Sequence, residues 1–368
     1  MNKLVSDLVS LSQASAHDIS NLKNEISFLK RGILSSLKHD TTLKNELSSL
    51  TEKILFSLKQ DITLHNEISS LKQSILSFES KNICLQNYDI SWIVNGRTWY
   101  ASYQSYDEYM SDYNMKEYMK KLQVLACDLP NNIKVYCEVC GKISIMNPSH
   151  FHGVNESYGC GCSGMNSRMR AVFEFILNNF MDKKKVYIQE KVTPSYYVYE
   201  MLFGFDNIVG SEYLGEDKIS GESYDYKGHK IMHQDCTKMS FDDNTFDLII
   251  SQDVLEHIFD TRKCLSELYR VTKPNGACII MVPFLYQQKK SEMLARLMED
   301  GAVEYIVNPP VMHGNPVGGS GGILTYWDHG WEFIDIMKEA GFRNTTVHFY
   351  NNVYKGHFGV QSVITGTK

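Results

Sequence analysis

The chain has 368 residues, 43% of them hydrophobic, and a formal net charge of −6, enough for two or three domains with ordinary cores. A negative balance argues against broad nucleic-acid binding, which needs concentrated positive charge to meet phosphates. No basic-then-apolar leader opens the chain and no apolar run approaches the ~18 residues of a membrane span, so a cytoplasmic protein without a transmembrane segment is expected.

Residues 1–80 repeat themselves. Leu22-Lys23-Asn24-Glu25-Ile26-Ser27 returns as Leu43-Lys44-Asn45-Glu46-Leu47-Ser48 and again as Leu64-His65-Asn66-Glu67-Ile68-Ser69, each time 21 residues on, which is three heptads. Val5, Ile19, Ile26, Ile33, Leu47, Ile54, Ile68 and Ile75 then fall at position a, with Leu8, Leu22, Leu29, Leu43, Leu50, Leu64, Leu71 and Phe78 at d. Such a seam predicts a coiled-coil oligomerisation stalk of ~110–120 Å. Isoleucine at a with leucine at d favours a parallel dimer and leaves trimer and tetramer open. Ser15, Ser36 and Ser57 interrupt the d positions at the same 21-residue spacing, and Asp40 and Asp61 fall at the a positions after the last two; polar a residues lower stability but fix register.

From 81 to 130 the composition turns aromatic, and a helix is expected over 105–127 as a packing connector. The next segment, 131–180, carries Cys137-Glu138-Val139-Cys140-Gly141 and Cys160-Gly161-Cys162. Two close thiol pairs with glycine at the turns suit tetrahedral Zn²⁺. Cys137, Cys140, Cys160 and Cys162 are therefore expected to hold a structural zinc, closed to catalysis, in a chain whose nine cysteines have no secretory context to favour disulfides. A helix follows from Asn166 to about residue 179.

The last part, 181–368, alternates strands and helices. Expected strands over 186–189, 207–210 and 231–236 each run into an acid, Glu190, Glu212 and Asp235. Glu212 follows Glu190 by 22 residues, a position suited to accepting hydrogen bonds from ribose hydroxyls. Thr193-Pro194 after the first strand reads as N-cap and first turn of a helix. Phe246-Asp247-Leu248-Ile249-Ile250 is a buried strand emptying into Ser251-Gln252-Asp253. A helix over 265–270, a turn at Lys273-Pro274-Asn275-Gly276 and a strand over 278–282 complete a βαβ unit. Beyond it come an expected helical insertion at 290–299, a Gly/Pro-rich loop at 308–322 holding His313, a helix over 328–340 ended by Gly341, and two closing strands. His313 is the side chain in that loop suited to proton abstraction near neutral pH.

The stretch FDLIISQDVLEHI at 246–258, with LSELYRVTKPNGACIIMVPF at 265–284, resembles the fourth-to-fifth-strand region of class I S-adenosylmethionine-dependent methyltransferases. The cysteine knuckle followed by Asn166-Ser167-Arg168-Met169-Arg170 resembles bacterial members associated with glycan gene clusters. The resemblance implies an α/β fold: a Rossmann-like, seven-stranded class I sheet with its one antiparallel strand last, preceded by the zinc module and the coiled-coil helix. It implies S-adenosylmethionine held by Glu190, Thr193, Glu212, Tyr213, Asp235, Cys236, Gln252 and Asp253, with Asp235 on the adenine amine. His313 would be the base, with His257 and Asp253 near the methyl path. The expected activity is O-methylation of a sugar hydroxyl, with a glycan acceptor and glycan-synthesis proteins as partners. This sequence departs from the family where Glu190-Lys191-Val192-Thr193-Pro194 replaces the usual Gly-rich turn. That departure motivates a second reading, a non-catalytic scaffold. A third, an RNA or protein methyltransferase recognising its partner through the knuckle with Arg168 and Arg170, is disfavoured by the net charge.

Overall fold

The structure, a computed structural model, describes residues 99–127, 132–147, 156–157, 161–318 and 321–368. The heptad region and its oligomer lie outside these residues. The described residues fall in two compact units, Tyr136–Ser144 in one and Gly96–Val135 with Ile145–Lys368 in the other. Among them no helix is long and apolar enough to cross a membrane.

In chain order the strands are β1 Trp99–Tyr103, β2 Ile133–Cys137, β3 Lys142–Met146, β4 Val186–Ile188, β5 Ile208–Glu212, β6 Ser223–Tyr226, β7 His229–His233, β8 Phe246–Gln252, β9 Thr272–Met281, β10 Glu292–Met293, β11 Ala295–Leu297, β12 Val303–Tyr305, β13 Met312–His313, β14 Ile323–Leu324, β15 Trp327–Asp328, β16 Arg343–Asn352 and β17 His357–Thr367. The helices are α1 Tyr106–Ser111, α2 Tyr113–Cys127, α3 Ser167–Asn179, α4 Pro194–Phe203, α5 Thr261–Val271 and α6 Glu332–Glu339.

In the larger unit nine strands form one sheet in the order β1-β16-β17-β9-β8-β4-β5-β7-β6. The run β7-β5-β4-β8-β9 is parallel throughout, and β17 is antiparallel to both β9 and β16. These seven strands make the class I arrangement, antiparallel strand included. β1 and β6 extend it by one antiparallel strand at each edge. Val186-Tyr187-Ile188, Leu248-Ile249-Ile250 and Cys278-Ile279-Ile280 are buried, as central parallel strands covered on both faces must be. α5 covers one face with Cys264, Leu265, Leu268 and Val271, all fully buried, and Asp260 caps it by accepting from the Lys263 N–H at 3.0 Å, satisfying one otherwise orphaned donor.

Several expectations are corrected. The helix over 105–127 is two, because the Asp112 carboxylate accepts from Met115 N–H at 2.9 Å and starts α2 afresh. The aromatic connector is not separate from the body: β1 pairs residue for residue with β16, from Trp99 opposite Asn351 to Tyr103 opposite Val347, and Tyr109 stacks on Trp331. The connector thus belongs to the same compact unit as residues 145–368. Lys273-Pro274-Asn275-Gly276 lies within β9 as a bulge: Thr272 pairs with Phe246, and pairing resumes at Ala277 with Leu248. Asn275 takes φ 64° there, a left-handed conformation Asn tolerates. Residues 290–299 are extended rather than helical. Their apolar spacing fits a helix, but Leu294 N–H reaches Tyr326 O at 2.8 Å while β10 and β11 pair with β15 and β12. α6 starts at Glu332, four residues late, since Trp327–Asp328 is taken up by β15.

Candidate cofactor and acceptor site

The carboxyl ends of β4, β5, β7 and β8 lie side by side. Ile188 is opposite both Gly210 and Ile250, so the chain delivers Glu190, Glu212 and Gln252 to one edge of the sheet. Asp235 follows two residues after β7. Glu190 is 4% exposed, and neither carboxylate oxygen has a hydrogen-bond partner. Burial, then the neighbouring Glu212 carboxylate, push its pKa well above the usual carboxylate range. Across from it, the buried Gln252 amide also has no partner for either end. Glu212 Oε1 accepts from Val192 N–H at 2.7 Å, and burial pushes its pKa up to about 7 in spite of that bond.

The loop after β4 has no glycine and is tied down by other means. Lys191 N–H donates to Ser211 O at 3.0 Å. Thr193 occupies the N-cap position of α4 but makes no side-chain cap; its hydroxyl donates to Glu190 O at 2.9 Å. Asp235 holds its own turn, Oδ1 accepting from both the Thr237 N–H and hydroxyl at 2.8 Å. Cys236 is buried and Tyr213 is 51% exposed at the mouth. His233 Nδ1 accepts from Leu214 N–H at 2.9 Å, fixing the chain on which Tyr213 sits. Asp253 departs from its expected setting. It takes φ 56°, and its carboxylate pairs with Arg168 from the start of α3. Arg168 also lies 2.7 Å from Glu156, so one guanidinium serves two carboxylates.

Downstream of Asp253, the short 3-10 turn Leu255–His257 presents Glu256 and His257, and β13 brings His313 to them. His257 Nε2 and His313 Nδ1 lie 3.8 and 3.7 Å from Glu256 Oε1, and the two rings meet edge-on at 5.0 Å. His257 is held by Nδ1–H to Leu324 O at 2.8 Å, and burial lowers its pKa. Glu256 raises that of His313, which is the more exposed ring. The β13–β14 hairpin depends on Gly322, at φ 76°, where a Cβ would come 2.5 Å from His313 O.

In the smaller unit, Cys137 and Cys140 bracket a tight turn with Gly141 at φ 69° and its N–H on Cys137 O at 2.8 Å. That left-handed glycine is what lets a CxxCG turn point both sulfurs to one side. In the larger unit Cys162 is exposed. Cys160 lies outside the described residues.

Residues 202–280 match the family described as Methyltransferase domain (Methyltransf_11). Over these residues the chain is similar to a methyltransferase domain. Over 82 residues the chain is 37% identical to a demethylmenaquinone methyltransferase of Bacteroides fragilis, covering 22% of this chain and 33% of that protein. It is 25% identical over 193 residues to a demethylmenaquinone methyltransferase of Anoxybacillus flavithermus, covering 49% and 71%. The crystal structure of a putative S-adenosylmethionine dependent methyltransferase from Listeria monocytogenes aligns at 13% identity and TM-score 0.32, covering 55% of this chain and 98% of that one. The chain spans about a third of the length of the first of these curated relatives. Sequence reasoning missed Arg168, which lies upstream of the matched residues, as the partner of Asp253. Its only local signal was the Asn166-Ser167-Arg168 start of α3, where Asn166 caps the helix through Met169 N–H at 3.0 Å.

Proposed function

We propose that the chain is an S-adenosylmethionine-dependent methyltransferase acting on a hydroxyl of a polar acceptor, with a glycan or its precursor as the preferred class. The observation that carries the reading is the row of acids at the carboxyl ends of parallel strands, with Glu190 and Gln252 buried yet lacking partners. Buried polar atoms without partners cost stability, and a row of them at this edge fits a ligand bearing an ammonium, hydroxyls and an amine.

The bound cofactor supplies a methyl group on a sulfonium centre. Glu212, with one oxygen already on Val192, offers the other to the ribose hydroxyls. Glu190 and Gln252 would hold the amino-acid end, Asp235 and the Cys236 N–H would hold the adenine, and Tyr213 and Thr193 would close the mouth. Arg168 positions Asp253, and with it the backbone leading to Glu256. On the acceptor side the proton of the attacking hydroxyl leaves at the Glu256–His257–His313 cluster, where His313 is the accessible ring. Holding acceptor and methyl in line, away from water, is the remaining contribution.

A polar cluster of two imidazoles and a carboxylate suits a hydroxyl acceptor. Cys137, Cys140, Cys160 and Cys162 hold a structural zinc in this reading, supported by the Gly141 turn, and residues 1–80 assemble the chain as a coiled-coil oligomer. Calorimetric titration of the full chain with S-adenosylmethionine tests the proposal: one site per chain is expected, and heat-silent titration with no displacement by S-adenosylhomocysteine would sink it. Incubation with labelled cofactor and candidate glycans tests the acceptor class.

A further inference from the structure

Three ligand-type atoms converge beside the carboxyl end of β8. His257 Nε2 and His313 Nδ1 approach the same oxygen, Glu256 Oε1, at 3.8 and 3.7 Å, and the three groups offer atoms all within 4.8 Å of one another. These separations are too long for hydrogen bonds, which run about 2.7–3.2 Å. Two ligands each ~2.0–2.2 Å from one cation sit roughly 3–4 Å apart. Glu256 is 0% exposed, and neither of its oxygens has a hydrogen-bond partner. A carboxylate so removed from water is strongly destabilising unless positive charge meets it.

The orientation of His257 sharpens this. Leu324 O can only accept, so the 2.8 Å contact places the ring proton on Nδ1. The neutral ring then presents the Nε2 lone pair toward the Glu256 carboxylate, two electron-rich groups facing each other across 3.8 Å. A ring whose one N–H is held by a backbone carbonyl while the other nitrogen faces a carboxylate is how metal-binding histidines are oriented. His313 is positioned by the β13–β14 hairpin, and Gly322 is required where that hairpin closes under His313 O. Asp253 is engaged by Arg168 and stands outside the set.

We propose that Glu256, His257 and His313 form a divalent-cation site on the acceptor side of the methyltransferase domain. Two imidazoles and one carboxylate suit Mn²⁺, Fe²⁺, Co²⁺ or Zn²⁺ better than Mg²⁺ or Ca²⁺. Three protein ligands leave coordination positions open. The class of ligand that fills them is the hydroxyl oxygen of the acceptor, and adjacent hydroxyls, as in a vicinal diol, would fill two. The cation would then take over from His313 the task of making the hydroxyl acidic, and the proton would leave to solvent water at the exposed His313 side. Only the identity of the acceptor rests on the methyltransferase reading; the cation site is tested without it.

The full chain, stripped with a chelator and dialysed, is titrated with Mn²⁺ and followed by loss of the free-ion electron paramagnetic resonance signal. One Mn²⁺ per chain is expected. Loss of an outer-shell partner alone typically weakens metal binding about 10–100-fold, so Glu256→Gln and His313→Ala should weaken it at least ~100-fold and Gly322→Ala roughly tenfold or more. S-adenosylmethionine titration of the same variants reports whether the cofactor half remains folded. Mn²⁺ binding lost with cofactor binding kept supports the site. Wild-type protein that takes up no Mn²⁺ while binding cofactor overturns it, as does equal uptake by wild type and variants. Protein that binds Mn²⁺ but no cofactor keeps the cation site and overturns the methyltransferase reading instead.

Discussion

Glu174 and Glu190 are both buried glutamates of one domain, and they have opposite surroundings. Glu174, on α3, accepts from Tyr350 OH, Lys355 Nζ and His357 Nε2. Burial would raise its pKa, but the hydrogen bond from His357 and the charge of Lys355 hold it down to about 2. Glu190, at the carboxyl edge of the sheet, has no cation and no side-chain donor, and burial and the neighbouring Glu212 carboxylate drive it the other way. A carboxylate surrounded by donors stabilises the fold, whereas one left without them stores a binding interaction at the expense of stability. Glu190 after β4 and Glu256 after β8 are of the second kind, and this is why that edge, rather than the α3–β17 side, reads as the site.

The largest effect tests the site half of this contrast. Glu212→Ala should weaken S-adenosylmethionine binding by ~100-fold or more, since two hydrogen bonds to a charged acceptor are lost at ~1.5–3 kcal/mol each; calorimetry measures it. The fold should survive, because Glu212 carries a pKa raised to about 7. A raised folded-state value means its ionisation disfavours the native state, and stability is lost as pH rises from about 4.5 to 7. Cofactor-free Glu212→Gln protein should therefore melt higher than wild type at pH 8 and equally at pH 4. A lower melting point at pH 8 would break the comparison.

Glu174→Gln tests the structural half. Removing one partner of a buried, donor-rich carboxylate should cost about 3 kcal/mol at neutral pH. The sign is the reverse of Glu212. Glu174 has a depressed folded-state pKa, so its contribution is complete above the unfolded value of 4.5 and is lost as pH falls toward about 2. Denaturant melts of wild type and variant should converge at the acid end. Cofactor binding should change little, because none of the three partners of Glu174 lies at the carboxyl ends of β4, β5, β7 or β8.

How much of this was legible in the sequence divides along the same line. Strand-end acids are local signals: a short apolar run followed by Glu190, Glu212 or Asp235 is readable because a buried strand must stop where charge begins. Spacing made one βαβ unit readable, from 246–250 to 278–282, and the rest of the sheet was expected from the family resemblance. What required distant chain was not readable. Trp99-Tyr100-Ala101-Ser102-Tyr103 has aromatic content but no partner in sight until β16 is placed, 240 residues later. Residues 290–299 carry helical spacing, yet the extended state wins because β12 and β15 supply hydrogen bonds that an isolated short helix would lack. The meeting of His313 with Glu256 depends on a hairpin closed at Gly322, and the donors around Glu174 come from β16 and beyond. Nothing near Glu174 in sequence distinguishes it from a surface glutamate.

A smaller perturbation probes the backbone beneath the cofactor edge. Gly210 in β5 has Tyr196 of α4 against it: a Cβ would lie 2.2 Å from the ring. Gly210→Ala must push α4 away and should cost about 1–3 kcal/mol. Since α4 opens with the Thr193-Pro194 turn that takes the place of a glycine loop, cofactor affinity should fall with it. Unchanged affinity would mean that the turn, held by Thr193 on Glu190 and Val192 on Glu212, is fixed independently of the helix.

The smallest effect supplies the missing third kind of carboxylate. Glu339, at the end of α6, pairs with Arg262 of α5, and both side chains are more than half exposed. Glu339 has a cationic donor, as Glu174 does, but it never left water. If donors alone decided what a carboxylate contributes, Glu339→Gln would resemble Glu174→Gln. If burial sets the scale, the change should be about 0.5 kcal/mol or less and should shrink further in high salt. Matched denaturant melts of the two variants, at low and high salt, separate these outcomes. A large, salt-insensitive loss at Glu339 would undercut the inference that an unpartnered carboxylate marks the site because it is buried.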